Sequence, residues 1–322
     1  MEHFFEQLLI VFNAVAPFFL IMGLGWFLCR IGLVGDPFFK GVNKMAFTCF
    51  FPALLFMNMY QADLATAFDL GLVVYFVVGI LTIYILLWVV TARSGLLDKP
   101  RTAVFVQAGY RSNYLVLAVP IIGLLMGPEA LPKTTLILPF LVALYNILAA
   151  TLFVVAGLDT TVTGVQRLRR VLIGILKTPM IIAVIIGMVA NLIDLRLPVV
   201  LDRSLASVAA VAPPAALLSI GGALTAACVR RNLRFAVTAA TVKNVITPIL
   251  FIVPAILLGF RGVELAIIAL IGLTPVGTQT YTTAVEMGGD SDSAASCLIL
   301  SNAAAMFTIV PGLTLLWVLG LF

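Results

Sequence analysis

The sequence predicts an all-α membrane protein of about ten transmembrane helices, arranged as a 5+5 inverted repeat. Two observations lead to this fold class. Hydrophobic residues make up 62% of the 322 residues, charged residues only 10%, and the mean hydropathy is +1.18. A water-facing surface normally carries far more Lys, Arg, Asp and Glu. In addition, the apolar residues form runs long enough to cross a bilayer, and two of these runs are interrupted at matching places in the two halves.

The apolar runs follow one another with short polar connections. A helix needs about 20 apolar residues to cross about 30 Å of hydrocarbon. On this criterion we predict spans near residues 8–29, 41–60, 70–92, 101–127, 134–157, 178–195, 204–228, 235–259, 263–287 and 294–320. The first span is expected to stay in the protein, because Glu2 and Glu6 stand where a cleaved signal peptide carries basic residues.

The basic residues predict the orientation. Most of them fall in alternate loops on one side, and the loops of the other side receive only Lys133, Arg196, Arg203 and Arg261. By the positive-inside rule the crowded side is cytoplasmic, so both termini are extracytoplasmic and the number of spans is even. The net charge of +5 therefore reflects topology. The expected surroundings are the lipid bilayer, and no nucleic-acid partner is expected.

An odd number of spans in each half requires the second half to enter the membrane upside down. We predict a first five-helix repeat at 1–157 and a second, inverted repeat at 178–322. The connecting loop, 158–177, is polar, basic and predicted to be cytoplasmic. It is too short for a separate domain.

The fourth and ninth spans are predicted to be broken helices. Pro120 interrupts the fourth span, and Thr274, Pro275 and Gly277 interrupt the ninth. Within hydrocarbon each unpaired backbone group costs several kcal/mol, so a break survives only where something polar compensates. Paired Gly/Pro-interrupted spans in corresponding halves indicate a substrate site near the bilayer midplane of a secondary transporter.

The charges inside the spans predict an anionic substrate. Arg111 and Lys243 are the only basic residues well inside predicted spans, and no carboxylate lies at a comparable depth. A buried cation costs at least about 2.5–3.5 kcal/mol on insertion scales. The second half of each broken helix also points the positive end of its dipole at the break.

Neutral hydrogen-bonding residues near the breaks complete the predicted site. The predicted substrate-binding residues are Asn113, Arg111, Tyr145, Asn146, Lys243, Thr278 and Gln279. Structural roles stay open for several of them. Arg111 could extend towards the cytoplasmic interface, and Lys243 could satisfy carbonyls freed at the crossing. Asn113 could form an ordinary interhelical hydrogen bond, and Tyr145 could simply pack.

Several groups of residues share their order and spacing with a known family. They are Pro17, Gly23 and Gly25; Phe51-Pro52-Ala53-Leu54-Leu55-Phe56; Arg111-Ser112-Asn113 with Pro120; Lys243 with Pro248; and Thr274-Pro275. Together they resemble the auxin efflux carrier family in its compact bacterial form, within the bile acid/auxin/arsenite transporter superfamily. The resemblance covers essentially the whole chain. Tyr114 and Leu115 depart from it, because a Gly-rich stretch is more usual there.

The resemblance implies a fold, an activity and an assembly. Spans 4 and 9 would be discontinuous and cross near the midplane. Spans 1, 2, 6 and 7 would form a scaffold, and spans 3–5 and 8–10 a mobile transport domain. Family members carry organic anions, from indole-3-acetate to malonate-like or malate-like dicarboxylates, and usually form homodimers. The short central loop favours a bacterial plasma-membrane protein.

The sequence therefore predicts a secondary transporter that moves a small organic anion, a mono- or dicarboxylate, by alternating access. The alternative is a membrane receptor that binds an organic acid without moving it. An enzyme is not expected, because the chain has a single histidine, His3, and no HExxH or GxSxG motif. No cofactor or bound metal is predicted. Uniport, Na+ symport and H+ coupling are all left open.

Overall fold

The computed structural model describes residues 2–63, 68–156, 173–174, 176–223, 229 and 231–322. Within these ranges nearly every residue is helical, and the only strand-like pairing is a single bridge. Seven continuous helical stretches of the described residues, several of which join consecutive helices and turns, are long and apolar enough to cross a membrane, which confirms a helical multi-pass membrane protein. Most of the predicted connecting loop and the end of the predicted seventh span lie outside the described residues.

The first half is built from long helices joined by short turns. Its helices are α1 (Glu2–Arg30), α2 (Asp36–Met45), α3 (Phe51–Tyr60), α4 (Leu70–Ser94), α5 (Lys99–Tyr110), α6 (Val119–Met126), α7 (Leu131–Leu136) and α8 (Leu138–Val155). π-helical turns at Ala46–Phe50 and Tyr114–Ala118 lead into α3 and α6, and a 3-10 turn at Pro128–Ala130 leads into α7.

The second half has a similar arrangement. Its helices are α9 (Pro179–Leu192), α10 (Val199–Ala210), α11 (Ala212–Gly222), α12 (Leu233–Thr241), α13 (Thr247–Leu257), α14 (Gly262–Leu273), α15 (Gln279–Glu286) and α16 (Ser291–Val318). A π-helical turn, Val242–Ile246, joins α12 to α13.

Three of the predicted spans are shorter than a standard transmembrane helix. Their apolar helices cover Tyr114–Met126, Pro179–Leu192 and Gly262–Leu273. The first and last belong to the fourth and ninth predicted spans, where the helix is interrupted. The middle one, α9, has 14 residues, and at 1.5 Å per residue it rises only about 21 Å. That length is less than the hydrocarbon thickness.

Local sequence determines where several helices begin and end. Asp69, Asp98 and Asp290 each precede a helix, and each carboxylate accepts a hydrogen bond of 2.9–3.0 Å from an N–H in the first turn. Such caps satisfy donors that the helix itself cannot. Gly95 ends α4 with a φ of 61°, a conformation that costs glycine little. These signals fix the starts of α4, α5 and α16.

The helices pack mainly in two groups. In the group that we call the scaffold, α1 and α2 pack on α11, while α3 packs on α9 and α10. In the group that we call the crossing group, α4–α8 and α12–α16 pack among themselves and include both interrupted helices. The groups share a long boundary, because α1 packs along α16 and α3 packs against α7.

Partly buried ion pairs join helix ends within the crossing group. On one side of the bundle, the Lys133 ammonium donates a hydrogen bond to Glu264 and lies 3.7 Å from Asp69. On the other side, Arg101 Nε donates to Asp290 Oδ2 at 3.0 Å. These pairs link helices that are distant in sequence, so both ends of the crossing group are held together.

Helices α1 and α11 make a backbone-to-backbone contact at two glycines. A Cβ on Gly25 would lie 2.1 Å from the carbonyl oxygen of Leu218, and one on Gly221 would lie 1.9 Å from that of Met22. A backbone carbonyl cannot rotate away as a side chain can. Glycine therefore allows the close approach of these helices, as small residues do at membrane helix interfaces.

We expect Gly221→Ala to lower the free energy of unfolding by about 1–3 kcal/mol or more, because α1 and α11 must separate to admit the methyl group. The measurement is the thermal unfolding midpoint of the purified protein in detergent. Gly23→Ala on α1 is the matched control, since no atom lies within 4 Å of its added Cβ. Equal midpoints for the two variants would contradict this contact.

Candidate functional site

The interrupted helices meet at a crossing of two extended segments. The crossing consists of residues 111–113 and 274–278. The N–H of Asn113 donates to the carbonyl of Pro275 at 2.8 Å, and the N–H of Gly277 donates to the carbonyl of Arg111 at 3.0 Å. The two segments run antiparallel. Each segment therefore satisfies backbone groups that the other segment's break has freed, as a break inside a membrane protein requires.

Carbonyls at the ends of α5 and α14 have side-chain partners. Lys243 is fully buried, and its ammonium donates to the carbonyls of Ile271 at 3.3 Å and Gly272 at 3.0 Å. The hydroxyl of Thr247 donates to the carbonyl of Gly109 at 3.0 Å. Lys243 thus places its positive group at the negative end of the α14 dipole.

Helix α16 supports the second extended segment. Ser301 Oγ accepts a hydrogen bond from the N–H of Val276 at 3.0 Å and donates to Asn244 Oδ1 at 2.7 Å. Asn302 Nδ2 donates to the carbonyl of Leu298 at 2.7 Å and approaches that of Val276 at 3.5 Å. Side chains on α16 therefore replace hydrogen bonds that an unbroken helix would make.

Arg111 lies at the crossing with only 2% of its surface exposed. One guanidinium nitrogen donates to Asn146 Oδ1 at 2.9 Å and to Gln279 Oε1, and another reaches Thr283 Oγ1 at 3.5 Å. The guanidinium carbon lies 5.8 Å from the centre of the Tyr145 ring, within cation–π range. In the described part of the chain no carboxylate pairs with Arg111. Its positive charge is solvated by neutral groups and is not neutralised.

A small cavity of about 50 Å³ opens between the crossing and the scaffold. Its polar lining comes from Arg111, Ser112, Asn113, Thr278 and Gln279. Its apolar lining includes Leu141 and Val142 of α8, and Phe47 and Met180 on the scaffold side. The lining thus combines polar groups and a positive charge from the crossing with hydrocarbon side chains from α8 and the scaffold.

Asn113 is a cavity residue with unused hydrogen-bonding capacity. Its Nδ2 atom is buried and has no partner among the described residues. The neighbouring Ser112 hydroxyl is already bonded to the Tyr145 hydroxyl at 2.9 Å. The turn that starts at Tyr114 and the helix that starts at Gln279 both begin at this cavity. At the second of these starts, the N–H groups of Thr280 and Tyr281 already donate to the carbonyls of Gly277 at 2.9 Å and Thr278 at 3.2 Å.

The structure brings most of the predicted site residues together. Asn113, Arg111, Tyr145, Thr278 and Gln279 line the cavity. Asn146 lies one contact further out, as an acceptor for the guanidinium of Arg111. Lys243 is not part of the cavity lining, and its ammonium donates to carbonyls of α14 instead.

The predicted break residues take different positions. Pro275 and Gly277 are in the extended segment and bond through their backbones. Thr274 is fully buried, and its hydroxyl reaches the carbonyl of Ile271 at 3.4 Å. Pro120 lies after the break itself, within the continuous helical stretch Tyr114–Met126, where the π-helical turn passes into α6.

The sequence did not reveal which scaffold residues line the cavity. It also did not reveal that side chains of α16 bond to the second extended segment. Phe47 and Met180 are ordinary apolar residues within spans, so nothing in their type marks them. Ser301 carries no signal either, because hydroxyls in membrane helices usually bond to their own backbone. Only the folded arrangement shows what these three residues contact.

Interrupted helices that cross inside a helical membrane bundle, beside a buried cation, define the class of membrane transport proteins. A family model described as a membrane transport protein matches residues 10–311. The chain belongs to that family, the auxin efflux carriers of the bile acid/auxin/arsenite transporter superfamily. It is also 24% identical over 289 residues to an uncharacterized transporter of Methanothermobacter thermautotrophicus, an alignment that covers 89% of this chain and 92% of that relative.

Proposed function

We propose that this protein is a secondary transporter that carries small organic anions across the bacterial plasma membrane by alternating access, and that it is not an enzyme. One observation carries the proposal. Among the described residues, Arg111 is buried at the crossing without a carboxylate partner, and its hydrogen-bond acceptors are neutral. A buried, uncompensated cation beside a cavity favours an anionic ligand.

The remaining donors suit a carboxylate that must be released again. Asn113 Nδ2 is unpartnered within the described residues, and Thr278 and Gln279 also line the cavity. Together with Arg111 they offer one charged and several neutral donors. Neutral donors bind a carboxylate less tightly than a second cation would, because charge-assisted hydrogen bonds are roughly twice as strong.

The shape of the lining favours an anion with one charged end. Donors lie at the crossing, whereas Phe47, Leu141, Val142 and Met180 present apolar surface. A second carboxylate placed against these side chains would lose its hydration without a partner, which is costly. We therefore expect monocarboxylates with an apolar body to bind better than dicarboxylates of similar size.

Alternating access would move the crossing group against the scaffold. We propose ten spans in a 5+5 inverted repeat, with both termini extracytoplasmic and with assembly as a homodimer. Spans 1, 2, 6 and 7 would stay fixed while spans 3–5 and 8–10 move. The two packing groups, the ion pairs within the crossing group and the location of the cavity on the boundary support this division.

The test is uptake of radiolabelled mono- and dicarboxylates into proteoliposomes under an imposed membrane potential. Asn113→Ala should weaken apparent affinity about 10- to 150-fold, the effect of losing about 1.5–3 kcal/mol in a hydrogen bond to a charged group. The fold should tolerate this change, because Asn113 Nδ2 has no partner in the described residues. Asn43→Ala on α2, outside the cavity lining, is the matched control.

The same experiment separates a carrier from a receptor. Saturable uptake that is lost in Asn113→Ala and kept in Asn43→Ala would support the carrier and its site. Specific anion binding without uptake under any gradient would favour the receptor. Uptake that is unchanged in both variants would place the substrate elsewhere in the protein.

A further inference from the structure

A side-chain hydrogen bond joins the scaffold to the crossing group near one end of the bundle. Asn58 of α3 donates from Nδ2 to Thr135 Oγ1 of α7 at 3.0 Å. Thr135 lies two residues after Lys133, which is paired with Glu264 at that end of the crossing group. We call it the Lys133 end. Because α3 belongs to the scaffold and α7 to the crossing group, the bond breaks if the two groups separate there.

A crevice of about 460 Å³ follows the same boundary at the Lys133 end. Asn58, Gln61 and Asp63 line it from the scaffold, and residues within 128–132 line it from the crossing group. Thr135 has no exposed surface and is not part of this lining. The hydrogen bond between Asn58 and Thr135 therefore lies at the inner limit of the crevice, where the two groups close on each other.

The cavity of the proposed substrate site lies further from the Lys133 end than this bond does. Its scaffold lining includes Phe47, which precedes Asn58 in one continuous helical stretch, and Met180, which precedes Asn191 in α9. Asn191 Nδ2 donates to the carbonyl of Tyr60 at 2.8 Å, so the two stretches end together. At 1.5 Å per residue, each lining residue lies about 16 Å before the later residue of its pair. The contact of α3 with α7 therefore separates the cavity from the Lys133 end.

A second hydrogen bond links the cavity to that contact. Tyr114 begins the helical part of the fourth span after the break, and it lines the cavity. Its buried hydroxyl donates to the carbonyl of Thr134 at 2.8 Å, and Thr134 directly precedes Thr135. Separation of a buried donor from its acceptor costs free energy, so a displacement of Tyr114 acts on α7. Tyr114 also stands where the family pattern has a Gly-rich stretch, and glycine has no hydroxyl to make this bond.

We propose that the hydrogen bond between Asn58 and Thr135 is a latch that holds the Lys133 end of the boundary closed, and that Tyr114 and Thr134 form a relay from the cavity to this latch. In the proposed topology the Lys133 end is extracytoplasmic. A ligand shifts such an element towards the state that it binds better. The latch does not depend on transport, and only its response to a bound anion rests on the proposed function.

The first test measures the end from which the cavity is reached, without any organic anion. Thr278→Cys places a thiol in the cavity lining after the four native cysteines are replaced by alanine. A charged, membrane-impermeant methanethiosulfonate labels it in right-side-out and in inside-out vesicles. Thr135→Val keeps the side-chain shape and removes the acceptor. It should raise the ratio of labelling from the Lys133 end to labelling from the opposite end about 2- to 12-fold, the effect of one hydrogen bond. An unchanged ratio would overturn the latch.

Two further variants separate the hydrogen bond from packing. Thr134→Val is the matched control, because Thr134 is also fully buried and its hydroxyl donates to the carbonyl of Ala130, one turn earlier, at 2.7 Å. Thr135→Ser keeps the hydroxyl and loses a methyl group. Both should label like the wild-type protein. A shift in either that equals the shift in Thr135→Val would reject the latch in favour of a packing effect.

Tyr114→Phe tests the relay, because it removes the hydroxyl and keeps the ring. It should shift the labelling ratio in the same direction as Thr135→Val. The two changes together should shift the ratio by less than the product of their separate effects, since groups in one hydrogen-bond network are not additive. A combined effect equal to that product would show that Tyr114 and the latch are independent, and it would overturn the relay.

A cross-link separates the latch from the proposed function. In the cysteine-free background, mercuric ion should join the thiols of the double variant Asn58→Cys/Thr135→Cys and stop anion uptake until dithiothreitol removes it. Neither single variant should respond. Uptake that continues after both free thiols have disappeared would keep the carrier and overturn the latch. A labelling shift in Thr135→Val, together with no anion uptake by any of these proteins or the wild type, would keep the latch and reject the carrier.

Discussion

Replacement of Arg111 with glutamine is expected to weaken the apparent affinity for the anion about 10- to 150-fold or more, since a hydrogen bond to a charged group contributes about 1.5–3 kcal/mol. The groups that surround the guanidinium should increase this loss of affinity. Its partners Asn146, Gln279 and Thr283 present oxygen atoms. Without the cation, the substrate carboxylate would meet those oxygens directly. Initial rates of uptake over a range of anion concentrations would give KM and the maximal rate.

The fold should tolerate the loss of this arginine. Glutamine can still donate to the neighbouring oxygens, and removal of a buried guanidinium relieves its desolvation cost. The thermal midpoint of Arg111→Gln is therefore expected to stay close to that of the wild type. Arg196→Gln, an exposed arginine of the scaffold, is the control for a lost positive charge. Normal uptake by Arg111→Gln would remove the main support for an anionic substrate.

Lys243→Ala is expected to lower both the stability of the protein and its maximal uptake rate. Arg111→Gln, by contrast, should change the affinity and leave the stability nearly unchanged. The Lys243 side chain is long and fully buried, so truncation leaves a cavity that typically costs about 2–5 kcal/mol. It also leaves the carbonyl of Gly272 without its side-chain donor, at about 1–3 kcal/mol for a buried orphan group, whereas the carbonyl of Ile271 keeps the hydroxyl of Thr274 at 3.4 Å. The measurements are the thermal unfolding midpoint and the separate effects on KM and the maximal uptake rate.

Lys243→Met distinguishes hydrogen bonding from packing. Methionine fills much of the same space and offers no donor, so it should keep the packing and lose the cap on α14. We expect its stability to lie between those of the wild type and Lys243→Ala, with transport still impaired. Lys99→Met, at an exposed position, is the control. A Lys243→Met protein that transports at the wild-type rate would show that the crossing does not need the ammonium.

Together, these variants assign different roles to the two buried cations. Arg111 faces the cavity and should act mainly on the affinity for substrate. Lys243 bonds to backbone carbonyls of α14 and should act on the integrity of the crossing. A change in KM alone for Lys243→Met would reverse this assignment and place the ammonium on the substrate.

Much of the architecture could be predicted from the sequence because hydrocarbon tolerates few alternatives. A continuous apolar run of about 20 residues in hydrocarbon satisfies its backbone hydrogen bonds as a helix, so these runs predicted the helices directly. The expectation of a membrane transporter is confirmed by the family to which the chain belongs. The count of ten spans, the inverted repeat and the repeat boundaries stay predictions, as do the identity of the acid and the dimer.

The interruptions were also visible in the sequence, but their positions were less well defined. Polar residues and prolines marked the fourth and ninth spans. Pro120 lies after the first break, where the π-helical turn Tyr114–Ala118 passes into α6. The extended backbone lies instead at residues 111–113, where the pairing with the second segment sets the conformation.

The sequence by itself determined the properties that depend on residue type and local order: the apolar spans, the excess of basic residues on one side, and the two unneutralised cations. Only the tertiary structure decided which groups those cations meet. Arg111 faces a cavity and Lys243 faces carbonyls because helices far apart in sequence bring Gln279 to one and Gly272 to the other. Hydrogen bonding between distant segments depends on their distance and direction in space, and residue order along one chain does not specify either.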